Sequence, residues 1–146
     1  MSRAAQHRDT LRVAATTENL HVVRDFVRLR IGELGFSDFE ENGIILAVDE
    51  ACSNLIRHAY HNDPSQTIEI AVTIRQDSVS VNIADTAEAF DPCHAPLPDM
   101  TDYLEERRHG GLGILIMTRV MDDIAYVPAG ESCHQNMLIL TKRRTA

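Results

Sequence analysis

The sequence contains no tryptophan, and aromatic residues make up only 5% of its 146 positions. Surfaces that stack nucleobases need aromatic faces, so a single-strand nucleic-acid binder is a poor expectation. Positive charge is scarce as well. Lys and Arg number 14 against 22 Asp and Glu, a formal net charge of −8 with His neutral. The tight basic clusters, Arg107-Arg108 and Lys142-Arg143-Arg144, are short, and the acidic remainder would repel a phosphate backbone. Cysteine is limited to Cys52, Cys93 and Cys133. That odd, scattered set forms neither a disulfide framework nor a C-x-x-C knuckle and points to a reducing, intracellular setting. Long apolar runs are missing: residues 44–48 and 114–117 are far too short to span a bilayer. Residues 1–9 are polar and charged, unlike a signal peptide. A soluble, cytoplasmic protein without repeats or low-complexity segments is expected.

A chain of this length is read most simply as one domain, 1–146, able to bury roughly 68–70% of its unfolded surface without staples. Residues 1–9 are expected to be loose. Residues 10–15 alternate apolar and polar, which predicts a strand. Thr16 or Thr17 can cap a helix reaching Leu34, with Gly35 as its stop. Ser37 and Glu40 form a capping-box pattern that opens the next helix, and Asn62-Asp63-Pro64-Ser65 ends it in a turn. Residues 67–75 and 78–84 alternate with period two around Gln76-Asp77, which reads as a hairpin lacking the glycine that primed turns prefer. The second of these strands delivers Asp85 at its end. Residues 86–108 have no periodicity and carry Pro92, Pro96 and Pro98, and a loop that long in a compact domain is usually functional or mobile. A short helix over 114–121 and strands over 124–127 and 137–141 complete the chain. Hairpin-type neighbours dominate, so the sheet should be largely antiparallel or mixed, with the helices on one face.

The chain is organised around residues 44–61. Ile44, Ile45, Val48, Ala51, Cys52, Leu55, Ile56 and Ala59 recur at helical spacing and mark a buried stripe. Glu50, Asn54, His58 and His61 fall on another face, each of the steps from Glu50 to Asn54 to His58 rotating by only about 40°. A carboxylate, a carboxamide and an imidazole are thereby stacked along one edge of a helix whose other side is core. His58 and His61, Cys93-His94 and Cys133-His134 show no standard zinc spacing, so a structural zinc is not expected.

Three stretches in this order resemble the GHKL superfamily of Bergerat-fold ATP-binding domains, and most closely the anti-sigma-factor serine kinases of the RsbW and SpoIIAB type. They are the DEAxxNxxxHAY helix from Asp49 to Tyr60, the run from Asp85 to Phe90-Asp91-Pro92, and Gly111-Leu112-Gly113-Ile114. The first is the most specific, and the glycine motif alone would be weak. The resemblance implies an α+β fold: a two-layer sandwich of the histidine-kinase-like ATPase type, its mixed, mostly antiparallel sheet covered by helices on one face. It implies that Glu50 is the general base, that Asn54 holds Mg²⁺, and that Asp85 accepts a hydrogen bond from the adenine amino group. It places Ala87, Ala89 and Phe90 in the first glycine box and Gly111, Leu112 and Gly113 in the second, against phosphate. His58 would support the site, and residues 93–109 would form an ATP lid that carries Arg107 and Arg108.

The implied function is an ATP- and Mg²⁺-dependent serine/threonine kinase acting on a STAS-type anti-anti-sigma partner and binding a sigma factor, with a homodimer permitted through the first strand and helix. The sequence also departs from the family. Ala87 and Ala89 stand where glycines are usual, each methyl costing something of order 1 kcal/mol if positive φ is needed. His109 replaces a common glycine, and Gln135-Asn136 replaces a common Gly-Thr pair beside the adenine. The alternative is a non-catalytic, nucleotide-independent partner-binding module of the same fold.

Overall fold

The computed structural model describes residues 6–86, 117–130 and 135–144. Among them, five strands form one sheet in the order β1-β2-β3-β5-β4: β1 (His7–Ala14), β2 (Thr67–Ile74), β3 (Ser78–Asp85), β4 (Asp123–Val127) and β5 (Asn136–Arg143). All four pairings are antiparallel. Strand β1 begins at His7, inside the segment expected to be loose, because its full length pairs with β2 from His7↔Ile74 to Ala14↔Thr67.

Register assigns each side chain to a face. Leu11↔Ile70↔Ile83↔Leu138↔Tyr126 is one row across all five strands, and Ile68, Val72, Val81 and Leu140 share its face. These residues join one core cluster with Val23, Val27 and Ile31 of α1 (Leu20–Ile31) and Ile44, Val48 and Cys52 of α2 (Asp38–Asn54). Full burial of each large aliphatic side chain contributes about 1.5–3 kcal/mol, which fixes the helices to this face. The opposite face mixes polar and apolar residues: Arg12 pairs with Glu69 at 3.0 Å and Ser80 bonds Thr141 at 3.1 Å, beside Ala71, Ala84 and Ile139.

Helix α1 is entered through a 3-10 turn, Thr17–Asn19, and ends at Ile31, three residues before the expected stop at Leu34. Gly35 adopts φ 85, so the left-handed turn does fall on the glycine. The capping box is present as read: Glu40 N–H donates to Ser37 Oγ and Ser37 N–H to Glu40 Oε1, both at 3.1 Å. The β2–β3 hairpin closes with Arg75 N–H to the Ser78 carbonyl at 2.8 Å. Its turn contains no left-handed residue and is held from outside: Arg144 N–H donates to the Asp77 carbonyl at 2.8 Å, and Arg144 Nη1 donates to that of Arg75 at 2.7 Å.

Residues 117–120 are helical, and Gly43 of α2 admits them at close range. A Cβ on Gly43 would stand 2.8 Å from a Val120 methyl, so the absent side chain sets this helix spacing. No helix among the described residues is long and apolar enough to cross a membrane.

Candidate functional site

Helix α2 carries its polar residues on the flank that the core leaves uncovered. Glu50 is half-buried, and Asn54 is 5% exposed at the helix's last α-helical position. Beside them Asp49 is bound to Arg24 of α1 at 2.7 Å, which ties the two helices together at the level of the site. On the core side Cys52 is wholly buried, and burial first, then the Asp49 charge, pushes its thiol well above the ordinary range. It is a packing residue, and its neutral form is the one the site contains.

The expected single α-helix does not continue past Asn54. Residues Leu55–Ala59 form a π-helical turn in which Tyr60 N–H bonds the Leu55 carbonyl at 2.9 Å. One extra residue fits into that turn, so the 40° steps hold from Glu50 to Asn54 but not on to His58. His58 is exposed and stands off the edge defined by Glu50 and Asn54. His61 and Asn62 then take left-handed φ values of 52 and 57, and Asn62 Oδ1 accepts from Thr17 N–H at 3.0 Å. This end of the helix is pinned to the entry of α1.

Across from the helix, β3 ends at Asp85, whose register position lies on the helix-facing side of the sheet opposite Asn136 of β5. Both side chains are buried, at 5% and 4% exposure. Asn136 Nδ2 donates to Asp85 Oδ1 at 3.1 Å, and Asn136 Oδ1 accepts from Ala129 N–H at 2.9 Å. The second bond fixes which end of the carboxamide faces the carboxylate. Asp85 is thus met by a donor and presented as an acceptor, the form that discriminates for an amino group and against a carbonyl.

The structure therefore places Glu50, Asn54 and Asp85 on two elements flanking one side of the sheet. Ala87, Ala89, Phe90, Gly111, Leu112 and Gly113, with the lid segment 93–109, lie outside the described residues. Two contributions went unassigned in the sequence. Asn136 was visible only as a departure from Gly-Thr, and its pairing depends on register across 51 residues. Tyr60 was part of the helix motif but carried no role. A metal centre made by protein alone is absent among the described residues, which hold no group of three His, Cys, Asp or Glu able to bind an ion. Mg²⁺ keeps several waters and takes one or two protein oxygens plus phosphates, and Asn54 offers one such oxygen.

The α+β architecture, with an antiparallel sheet covered by helices on one face, is that of a histidine kinase-like ATPase domain. Residues 13–142 match the histidine kinase-like ATPase domain family, and the chain belongs to it. Within it the chain belongs with the RsbW-type serine/threonine protein kinases. It is 31% identical over 123 residues to the serine-protein kinase RsbW of Oceanobacillus iheyensis, covering 78% of this chain and 75% of that one. Identity to the RsbW of Bacillus subtilis is 27% over 119 residues, covering 78% and 74%. Among solved structures, the fold is similar to the RsbU and RsbW domains of a Mycobacterium tuberculosis protein, with TM-score 0.63 and 16% identity over 96% of this chain and 33% of that one. It is also similar to a chain of the SiaB-SiaC complex from Pseudomonas aeruginosa, with TM-score 0.62 and 12% identity over 92% and 88%.

Proposed function

We propose that the protein is an ATP-dependent kinase that phosphorylates a Ser or Thr of a small STAS-type anti-anti-sigma protein and, in its other state, binds a sigma factor. The observation that carries this reading is the buried Asp85 acceptor, held by Asn136, on the sheet face that the Glu50 and Asn54 helix covers. In this reading Asp85 takes the adenine amino group and Glu50 accepts the proton of the attacking hydroxyl. Asn54 holds Mg²⁺, which when bound supplies charge neutralisation at the phosphates. The family resemblance assigns Gly111, Leu112 and Gly113 to phosphate and Ala87, Ala89 and Phe90 to the nucleotide. His58, being exposed, supports the pocket from outside in this reading. The RsbW names of the relatives support the protein substrate, and the SiaB-SiaC complex is a case of this fold bound to a second protein. Among the described residues strand β1 lies at the sheet edge, and in this reading a second copy of the chain pairs there.

Ala87 and Ala89 favour one competing reading, a partner-binding module that needs no nucleotide. Titration calorimetry with Mg-ATP and Mg-GTP separates the two. The kinase reading expects binding with ATP preferred by at least about tenfold, a difference of about 1.4 kcal/mol. It further expects Glu50→Ala to keep ATP affinity while lowering phosphoryl transfer by about 10²-fold or more. No binding at millimolar ATP, or transfer unchanged in Glu50→Ala, refutes it.

A further inference from the structure

The π-helical turn directly after Asn54 changes which side chain meets the sheet. In a continuing α-helix the Leu55 carbonyl would bond the N–H of Ala59; here it bonds that of Tyr60. The added residue puts a phenol where a methyl would otherwise stand. The phenol is 7% exposed, and its hydroxyl reaches Thr86, the first residue beyond β3. Thr86 N–H donates to Tyr60 Oη at 2.7 Å, and the two hydroxyls lie 3.3 Å apart.

That backbone N–H belongs to the Asp85–Thr86 peptide. A short bond to it fixes the orientation of that peptide and so anchors the backbone on the C-terminal side of Asp85. Asn136 holds the carboxylate itself. The strand end is consequently gripped twice, at the carboxylate by the neighbouring strand and at the backbone by the helix that carries Glu50 and Asn54.

We infer that Tyr60 is a positioning residue for base recognition, aiming Asp85 through the Thr86 peptide and coupling it to the Glu50 and Asn54 helix. The inference rests on the nucleotide reading of Asp85. It assigns the π turn a purpose: the turn accompanies the placement of the Tyr60 hydroxyl against the strand end.

The test is Tyr60→Phe, which keeps the ring in the core and removes only the hydroxyl. ATP and GTP affinities are measured by calorimetry and the melting temperature by circular dichroism. ATP binding is expected to weaken about tenfold with weak GTP binding unchanged, so that the preference narrows while the protein stays folded. Thr86→Val keeps the N–H and removes only the longer hydroxyl contact, and it should preserve the preference. A Tyr60→Phe protein that melts earlier but retains the full preference for ATP would overturn the inference, leaving Tyr60 a packing residue. Asp85→Asn tests the underlying reading separately. If it leaves the ATP preference intact, base recognition by Asp85 fails, whatever Tyr60→Phe does.

Discussion

At its N-terminal end, helix α2 closes by local rules: Ser37 and Glu40 satisfy each other's backbone donors within one turn, and Asp38, Glu40 and Glu41 meet the positive end of the helix dipole. At its C-terminal end the same helix breaks those rules. It widens into a π turn, follows it with two left-handed residues, and adds hydrogen bonds to distant partners, Thr86 and Thr17. The regular end supports the helix alone. The irregular end is shaped by the sheet and by α1, and the candidate site sits where the two regimes meet, at Glu50 and Asn54. Strain next to a site is expected where surrounding contacts over-determine the backbone.

The contrast can be broken most strongly at Ile56, fully buried inside the π turn. Ile56→Ala removes the packing that holds the irregular backbone and should cost about 2–5 kcal/mol in urea unfolding, with ATP binding impaired alongside. The other end sharpens the contrast. Ser37→Ala deletes the cap and should cost about 1 kcal/mol, yet leave the preference for ATP over GTP untouched. If Ser37→Ala altered nucleotide preference as Tyr60→Phe does, the two ends would not be separable. The smallest effect concerns Cys52, in the regular segment between them. Its thiol pKa is raised in the fold, so the folded state resists ionising and the unfolded state does not. Its contribution to stability is therefore intact below the ordinary thiol value of about 8.5 and declines as pH rises through it. Alkylation at pH 9 followed by peptide mass analysis should find Cys52 unlabelled until denaturant is added.

Legibility in the sequence follows the same divide. The capping box, the period-two strands and the placement of Asp85 at a strand end were readable because each is written within a few neighbouring residues. The Gln76-Asp77 turn was readable in position but not in mechanism, since Arg144 braces it from 67 residues away at Asp77. The π turn was invisible, because the apolar spacing from Ile44 to Ala59 suits a continuous α-helix, whereas the contacts that accompany the wider turn, with Thr86 and Thr17, are distant in sequence. The early start of β1 was missed for the same kind of reason: HRD at residues 7–9 is polar, and pairing with β2 overrides it. The Asp85–Asn136 bond required register between β3 and β5, which no local pattern encodes.

The strand order has a consequence for how the protein is made. Strand β5, the latest of the five in the chain, lies between β3 and β4. Until residues 136–143 have left the ribosome, β3 presents an unpaired edge beside Val79, Val81 and Ile83, and β4 has no neighbour at all. The nascent chain therefore carries a sticky β edge from the completion of β3 at Asp85 until β5 begins at Asn136. Asp85 acquires the donor that defines its chemistry only when Asn136, the first residue of that last strand, arrives beside it.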